Sequence, residues 1–216
     1  MNKKYSRWVV SLFCFLLLFI INDSSVLGAP LSGKTVIVDA GHGGYNPGAI
    51  ANGSIEKDNN LAVALLLEKQ LKEAGATVIM TRSTDRAVAT KVTSLRSELQ
   101  ARVDIAERND GDIFVSIHSN SNDNPNFHGA MTFYGGERSE ELAETIQKNL
   151  VYRTKAEDKG IQMAGFYVIR NTSMPSVLVE MGFVSNPQEA KRLSDPSYRE
   201  RIANGIYEGI EEYFRS

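Results

Sequence analysis

Cysteine is almost missing from this 216-residue chain. The single one, Cys14, falls in the first stretch, ahead of everything that reads as a fold. The remainder therefore has no disulfide, no thiol nucleophile and no cysteine-ligated zinc. A basic excess is also missing. Setting aside residues 1–28 takes Lys3, Lys4, Arg7 and Asp23 from the 24 basic and 26 acidic residues. That leaves 21 and 25, a net charge of −4. This argues against nucleic acid, which calls for a basic face, and against holding an anionic polymer by bulk charge. The longest apolar run, Val9–Ile21, has thirteen residues broken only by Ser11, whereas a spanning helix needs about 20. No internal repeat, low-complexity tract or second domain is visible.

What is present begins with a leader. Lys3, Lys4 and Arg7 precede the short apolar run, the pattern of a secretory signal. Gly28, with Val26 two residues before it, offers a processing site, whereas Pro30 should hinder cleavage after Ala29. Residues 1–29 are thus expected to export the chain, as a cleaved signal or a retained membrane anchor. Residues 30–216 are expected to form one domain, since about 190 residues suit a single core.

The stretch TVIVDAGHGGYNPG, Thr35–Gly48, organises that domain. Val36-Ile37-Val38 reads as a short buried strand. The glycines after it permit tight turns, so His42 is expected in a loop at the strand's carboxyl end. Ligands in open α/β sheets bind outside those ends. A helix is expected over about Glu56–Ala74, with Leu61, Leu65 and Leu71 on its apolar face and Gly75 ending it. Further strands are expected at Thr77–Thr81, Asp112–Ile117, Ala130–Tyr134, Phe166–Ile169 and Ser176–Val179. Residues 82–93 read as a loop. Helices are expected near Leu95–Asn109, Ser139–Val151, Pro187–Leu193 and Tyr198–Phe214. Strands alternating with helices predict an α/β single domain, a mixed, mostly parallel sheet flanked by helices on both faces.

Three predicted strands end in chemically similar residues: His42, His118 and Glu180. If the strands are parallel neighbours, these side chains share one rim. Glu56 opens the first helix, where exposed N–H groups favour an anion. Two histidines and a glutamate are a common ligand set for catalytic zinc. A further carboxylate serves metal-assisted hydrolysis. Each has a plainer reading: Glu56 as an ordinary helix-start residue, His118 as a core histidine, Glu180 as half of a structural ion pair. Glu180 resists that reading most, because a charge between VLV and MGF must be buried. His128, in the polar loop NDNPNFHG, is expected to be exposed. GHGG lacks the lysine and spacing of a phosphate-binding loop.

Taken together, VDAGHGG, Glu56-Lys57, MTR at Met80–Arg82, SIHSN at Ser116–Asn120 and VEMGFVSN at Val179–Asn186 resemble the zinc-dependent N-acetylmuramoyl-L-alanine amidases. These bacterial cell-wall hydrolases occur among autolysins, division enzymes and spore enzymes. The resemblance covers nearly all of residues 33–214, and Arg102 with Ala106 also fits it. It implies one zinc bound by His42, Glu56 and His118, with Glu180 as the catalytic carboxylate. It also implies hydrolysis of the amide joining N-acetylmuramic acid to L-alanine of the peptidoglycan stem. Zinc would lower the pKa of its water from about 15.7 to about 7. Glu180 would take the water's proton and return it to the leaving nitrogen. Two features depart from some relatives. No wall-binding domain is expected beside the catalytic one, and no long inhibitory insertion is expected between Tyr134 and Pro175. A monomer acting on the wall side of the membrane is expected. A peptidase cutting within the stem, or a wall-binding protein with a dead site, would be the rival readings.

Overall fold

The computed structural model describes residues 29–216. The leader expected over residues 1–29 lies outside the described residues, apart from Ala29. The first strand, β1 (Thr35–Ala40), is buried from Val36 onward. A two-residue hairpin follows, β2 (Ile50–Ala51) and β3 (Ser54–Ile55), which sequence reading missed. Then come α1 (Glu56–Glu73), β4 (Thr77–Met80), α2 (Leu95–Arg108) and β5 (Ile113–Asn120). The second half holds β6 (Ala130–Tyr134), α3 (Glu140–Thr154), β7 (Asp158–Met163) and a one-turn helix α4 (Tyr167–Arg170). It closes with β8 (Ser176–Phe183), α5 (Pro187–Leu193) and α6 (Pro196–Arg215).

Six strands form one sheet in the order β4-β1-β5-β8-β6-β7. The first four are mutually parallel, β6 runs antiparallel to β8, and β7 is parallel to β6. Side chains alternate between faces along each strand. Val36, Val38, Ile113, Val115, Val177 and Val179 join the larger core, which includes Leu67 of α1, Ile146 of α3 and Ile206 of α6. Ile37, Phe114 and Leu178 face a smaller core with Ala106 of α2 and Val168 and Ile169 of α4. Helices therefore cover both faces, as expected.

Local chemistry explains the boundaries. Ser94 caps α2, its hydroxyl accepting from the Ser97 N–H while the Ser97 hydroxyl accepts from the Ser94 N–H. Gly75, at φ +89°, supplies the left-handed residue that ends α1. The start of α1 has no side-chain cap. Its first N–H groups, Glu56 and Lys57, donate to the carbonyls of Ala49 and Pro47. That fastens the helix to the loop carrying His42.

Three expectations are corrected. Phe166–Ile169 is no strand. Most of it forms α4, because Val168 and Ile169 turn inward together onto the smaller core. The neighbouring strand is β7, a largely polar sheet-edge segment. Leu65 is exposed; the buried face of α1 is Val63, Ala64, Leu67 and Leu71, with Glu56, Asn59 and Asn60 at its start. Finally, β5 continues to Asn120 and β8 to Phe183, so His118 and Glu180 lie inside their strands rather than after them.

Candidate metal centre and active site

Three elements bring the polar residues together. β1, β5 and β8 are adjacent, so their carboxyl ends share one rim. His118 and Glu180 are direct register partners. Alternation places both on the face of Phe114 and Leu178. His42 lies just past β1, where Gly41 still donates to the Ile117 carbonyl. Its φ of +61° is left-handed, unusual for a residue with a side chain. Gly43 and Asn46 then bond reciprocally and close the loop.

Glu56, the first residue of α1, sits between the two imidazoles. Its Oε1 is 3.0 Å from His42 Nε2 and 2.8 Å from His118 Nδ1. Its Oε2 accepts from the Ala49 N–H at 2.8 Å. The three donor atoms lie within 4.8 Å of one another. Zinc bonds of about 2.0–2.1 Å in a tetrahedron separate ligand atoms by about 3.3 Å. The two Glu56 contacts are within tenths of an ångström of that spacing, and the two imidazole nitrogens, within 4.8 Å of each other, would close on such an ion. Burial alone would raise the Glu56 carboxyl, but hydrogen bonds from His118 and His42 outweigh it and hold it well below the ordinary range. It is an anion, as a metal ligand must be.

Glu180 is the opposite case. Burial, then the Glu56 charge, push its carboxyl well above the ordinary range. Its Oε2 has no hydrogen-bond partner among the described residues. Buried unsatisfied oxygens are uncommon and cluster at functional sites. Glu180 lines the same cleft as His42, Glu56 and His118, a space of about 370 Å³. A cation among those donors would favour the ionised form of Glu180. An apolar recess of about 140 Å³ adjoins it, walled by Leu95, Leu99, Phe166, Tyr167 and Leu178. It also touches His42 and His118.

Behind the His42 loop lies a buried charged network. Arg102 Nη1 donates to Asp39 Oδ1 at 2.6 Å and to the Ala40 carbonyl. Its Nη2 donates to the His42 carbonyl and to Glu98 Oε1. Thr81 and Ser116 complete the bonds to Asp39. Arg82 is entirely buried. Burial, followed by the Arg102 charge, pushes its guanidinium below its ordinary value. Sequence reading gave no role to Asp39, Asn60, Arg82 or Glu98. The signal available for Asp39 was the one used for Glu180, a charge within an apolar run. His128 stands apart: half-exposed, it pairs with Glu157 at 3.0 Å.

Two imidazoles and a carboxylate on the carboxyl rim of a parallel sheet, with an unpartnered carboxylate beside them, mark an α/β metal-dependent hydrolase. The chain belongs to the N-acetylmuramoyl-L-alanine amidase family, whose profile matches residues 36–212. It is 38% identical to the germination-specific N-acetylmuramoyl-L-alanine amidase of Bacillus subtilis, over 98% of this chain and 96% of that one. Its fold matches the catalytic domain of CwlV, an N-acetylmuramoyl-L-alanine amidase from Bacillus (Paenibacillus) polymyxa var. colistinus. There the TM-score is 0.77 and the identity 38%, over 84% of this chain and 98% of that one. It equally matches the CwlD amidase of Clostridioides difficile, solved in complex with the GerS lipoprotein. That TM-score is 0.77 and the identity 35%, over 84% and 98% of the two chains. The family resemblance and the mixed sheet expected from sequence are both borne out. So is the activity: hydrolysis of the amide between N-acetylmuramic acid and L-alanine in peptidoglycan.

Proposed function

We propose that His42, Glu56 and His118 hold one zinc ion and that Glu180 carries the proton in this amide hydrolysis. The observation that supports it is the convergence of three donor atoms within 4.8 Å, in a cleft that also holds the unpartnered Glu180. Zinc, when bound there, supplies an activated water and polarises the scissile carbonyl. Glu180 accepts the proton released as the water attacks. It then returns the proton to the alanine nitrogen, so that the departing group leaves as a neutral amine. Burial suits Glu180 to this role, since a raised pKa brings a carboxyl nearer the working pH. The rim, rather than a nucleophilic side chain, organises the chemistry. The chain acts as a monomer on the outer side of the cytoplasmic membrane, delivered by residues 1–29 as signal or tether. No described helix is long and apolar enough to cross a membrane.

The test is the identity of the ends produced. Purified peptidoglycan is digested and the fragments are read by mass spectrometry. The expected products are stem peptides with a free L-alanine amino group and muramic acid with a free lactyl carboxylate. Cuts inside the stem would make the enzyme a peptidase and refute this assignment. Loss of turbidity of cell walls that is indifferent to a chelator would refute the metal.

A further inference from the structure

Arg82 takes a positive charge into a place with no exposed surface. Of the carboxylates around it, Asp39 pairs with Arg102 and Asp85 with Lys57, and none, Asp58 included, bonds to its guanidinium. A buried cation is costly unless its donors are used, and here they go to backbone carbonyls. Nε donates to Ala40 at 2.8 Å and Nη1 to Thr84 at 3.2 Å. Nη2 donates to both Gly41 and Lys57 at 2.9 Å. That last pair matters most. Gly41 immediately precedes His42, and Lys57 immediately follows Glu56. One nitrogen therefore joins the backbone neighbours of two metal donors that come from different elements.

Asn60, also fully buried, makes a second such bracket. Its Nδ2 donates to the Gly41 carbonyl at 3.2 Å and to Glu56 Oε1 at 3.4 Å. Its Oδ1 accepts from the Ser119 hydroxyl at 3.0 Å, and Ser119 immediately follows His118. Between them, Arg82 and Asn60 touch the chain beside all three donors.

We propose that Arg82 and Asn60 are positioning residues that set the spacing of His42, Glu56 and His118 before a metal arrives. This rests on the assignment of those three residues as ligands. The need for positioning comes from the loop itself. Its glycines leave the backbone free, and His42 occupies a left-handed conformation that costs energy to hold. Donors gathered only by the metal would draw their ordering entropy from the binding free energy. Donors already held do not. Arginine suits the task because its planar fork reaches several acceptors in fixed directions, which a lysine ammonium cannot reproduce.

The experiment uses the full chain, unaltered and as Arg82→Lys and Asn60→Ala. Zinc affinity is measured by competition with a chromophoric chelator. The absorption spectrum of the cobalt(II) form and the melting temperature of the metal-free form are recorded alongside. Each variant is expected to bind zinc roughly 10–100-fold more weakly, the usual cost of losing a group that orients ligands, with altered cobalt bands. Arg82→Lys should do so although it keeps the charge. A lower metal-free melting temperature with unchanged zinc affinity and cobalt spectrum would mean that both residues only support the fold, and overturns the proposal. Should Arg82→Lys fail to fold, Asn60→Ala decides, and unchanged affinity there overturns it. An unaltered chain that binds no zinc refutes the ligand assignment itself, a separate outcome.

Discussion

His118 and Glu180 face each other across the β5–β8 ladder as register partners on parallel strands. The pairing sets the carboxylate beside the imidazole with no lysine or arginine bonded to Glu180 Oε2 among the described residues. A structural ion pair is therefore not what keeps Glu180 buried. Glu180→Gln should cut amide cleavage by about 10²–10⁴, the usual share of general acid–base catalysis. Zinc content and melting temperature should hold, because the ligands remain and no cation is orphaned. All three are measured on one preparation. A variant that melts early yet turns over normally per folded molecule places the base elsewhere.

The metal is the second prediction. One zinc per chain is expected by metal analysis, and a His42→Ala, His118→Ala double variant should carry essentially none. Zinc at a hundred times its Kd should stabilise the fold by about 2.7 kcal/mol relative to the metal-free chain. Thermal melts with and without a chelator read this directly. Unchanged stoichiometry in the double variant would exclude these ligands.

Gly41→Ala tests the tightness of the site. A Cβ at that position would overlap the His118 ring. The ring must move, and a displacement near 1 Å at a reacting centre costs on the order of 10²-fold in rate. The variant should fold, since the clash is with a side chain at the rim. It should bind zinc poorly. Full activity would show that His118 has room the structure does not provide.

The buried Asp39–Arg102 pair contributes to acid stability, alongside the depressed carboxyls of Glu56 and Glu98. Burial tends to raise the Asp39 carboxyl, but the Arg102 charge and bonds from Ser116 and Thr81 outweigh it, leaving it below its ordinary value. A depressed carboxyl contributes stability in full above its unfolded pKa of about 3.9 and loses it as pH falls through the folded value. Urea melts of the metal-free chain should therefore weaken below about pH 4, and Asp39→Asn should flatten that limb. Arg102→Met leaves Asp39 buried and unpaired, and should cost about 3–5 kcal/mol at neutral pH.

Export is tested by fractionation. We expect the enzyme in the wall or on the outer membrane face. Finding it soluble in the cytoplasm with residues 1–29 intact would contradict the proposed leader.

Much of the site was legible because burial and charge rarely coincide by chance. Glu180 between VLV and MGF, and His42 after VIVDA, stand out in any reading for polarity against apolar context. Four of the parallel strands were equally plain as short apolar runs. β7 was not, because an edge strand with the sequence DKGIQM has no apolar run to betray it. Phe166–Ile169 misled in the other direction. Four apolar residues cannot distinguish a buried strand from one helical turn until neighbours decide. Arg82 was hidden by the polar loop it begins. Composition marks such a residue as solvated, and only the carbonyls converging on it from β1 and α1 reveal that it is enclosed.

β8 is late in the chain but central in the sheet, between β5 and β6. Synthesis runs from the N-terminus, so β4-β1-β5 and β6-β7 are made before the strand that joins them. The three proposed metal donors precede that strand, and Glu180 is carried on it. A copy cut short before residue 176 has His42, Glu56 and His118 but a divided sheet and no Glu180. The proposed site is therefore complete only once the central strand of the sheet has been made.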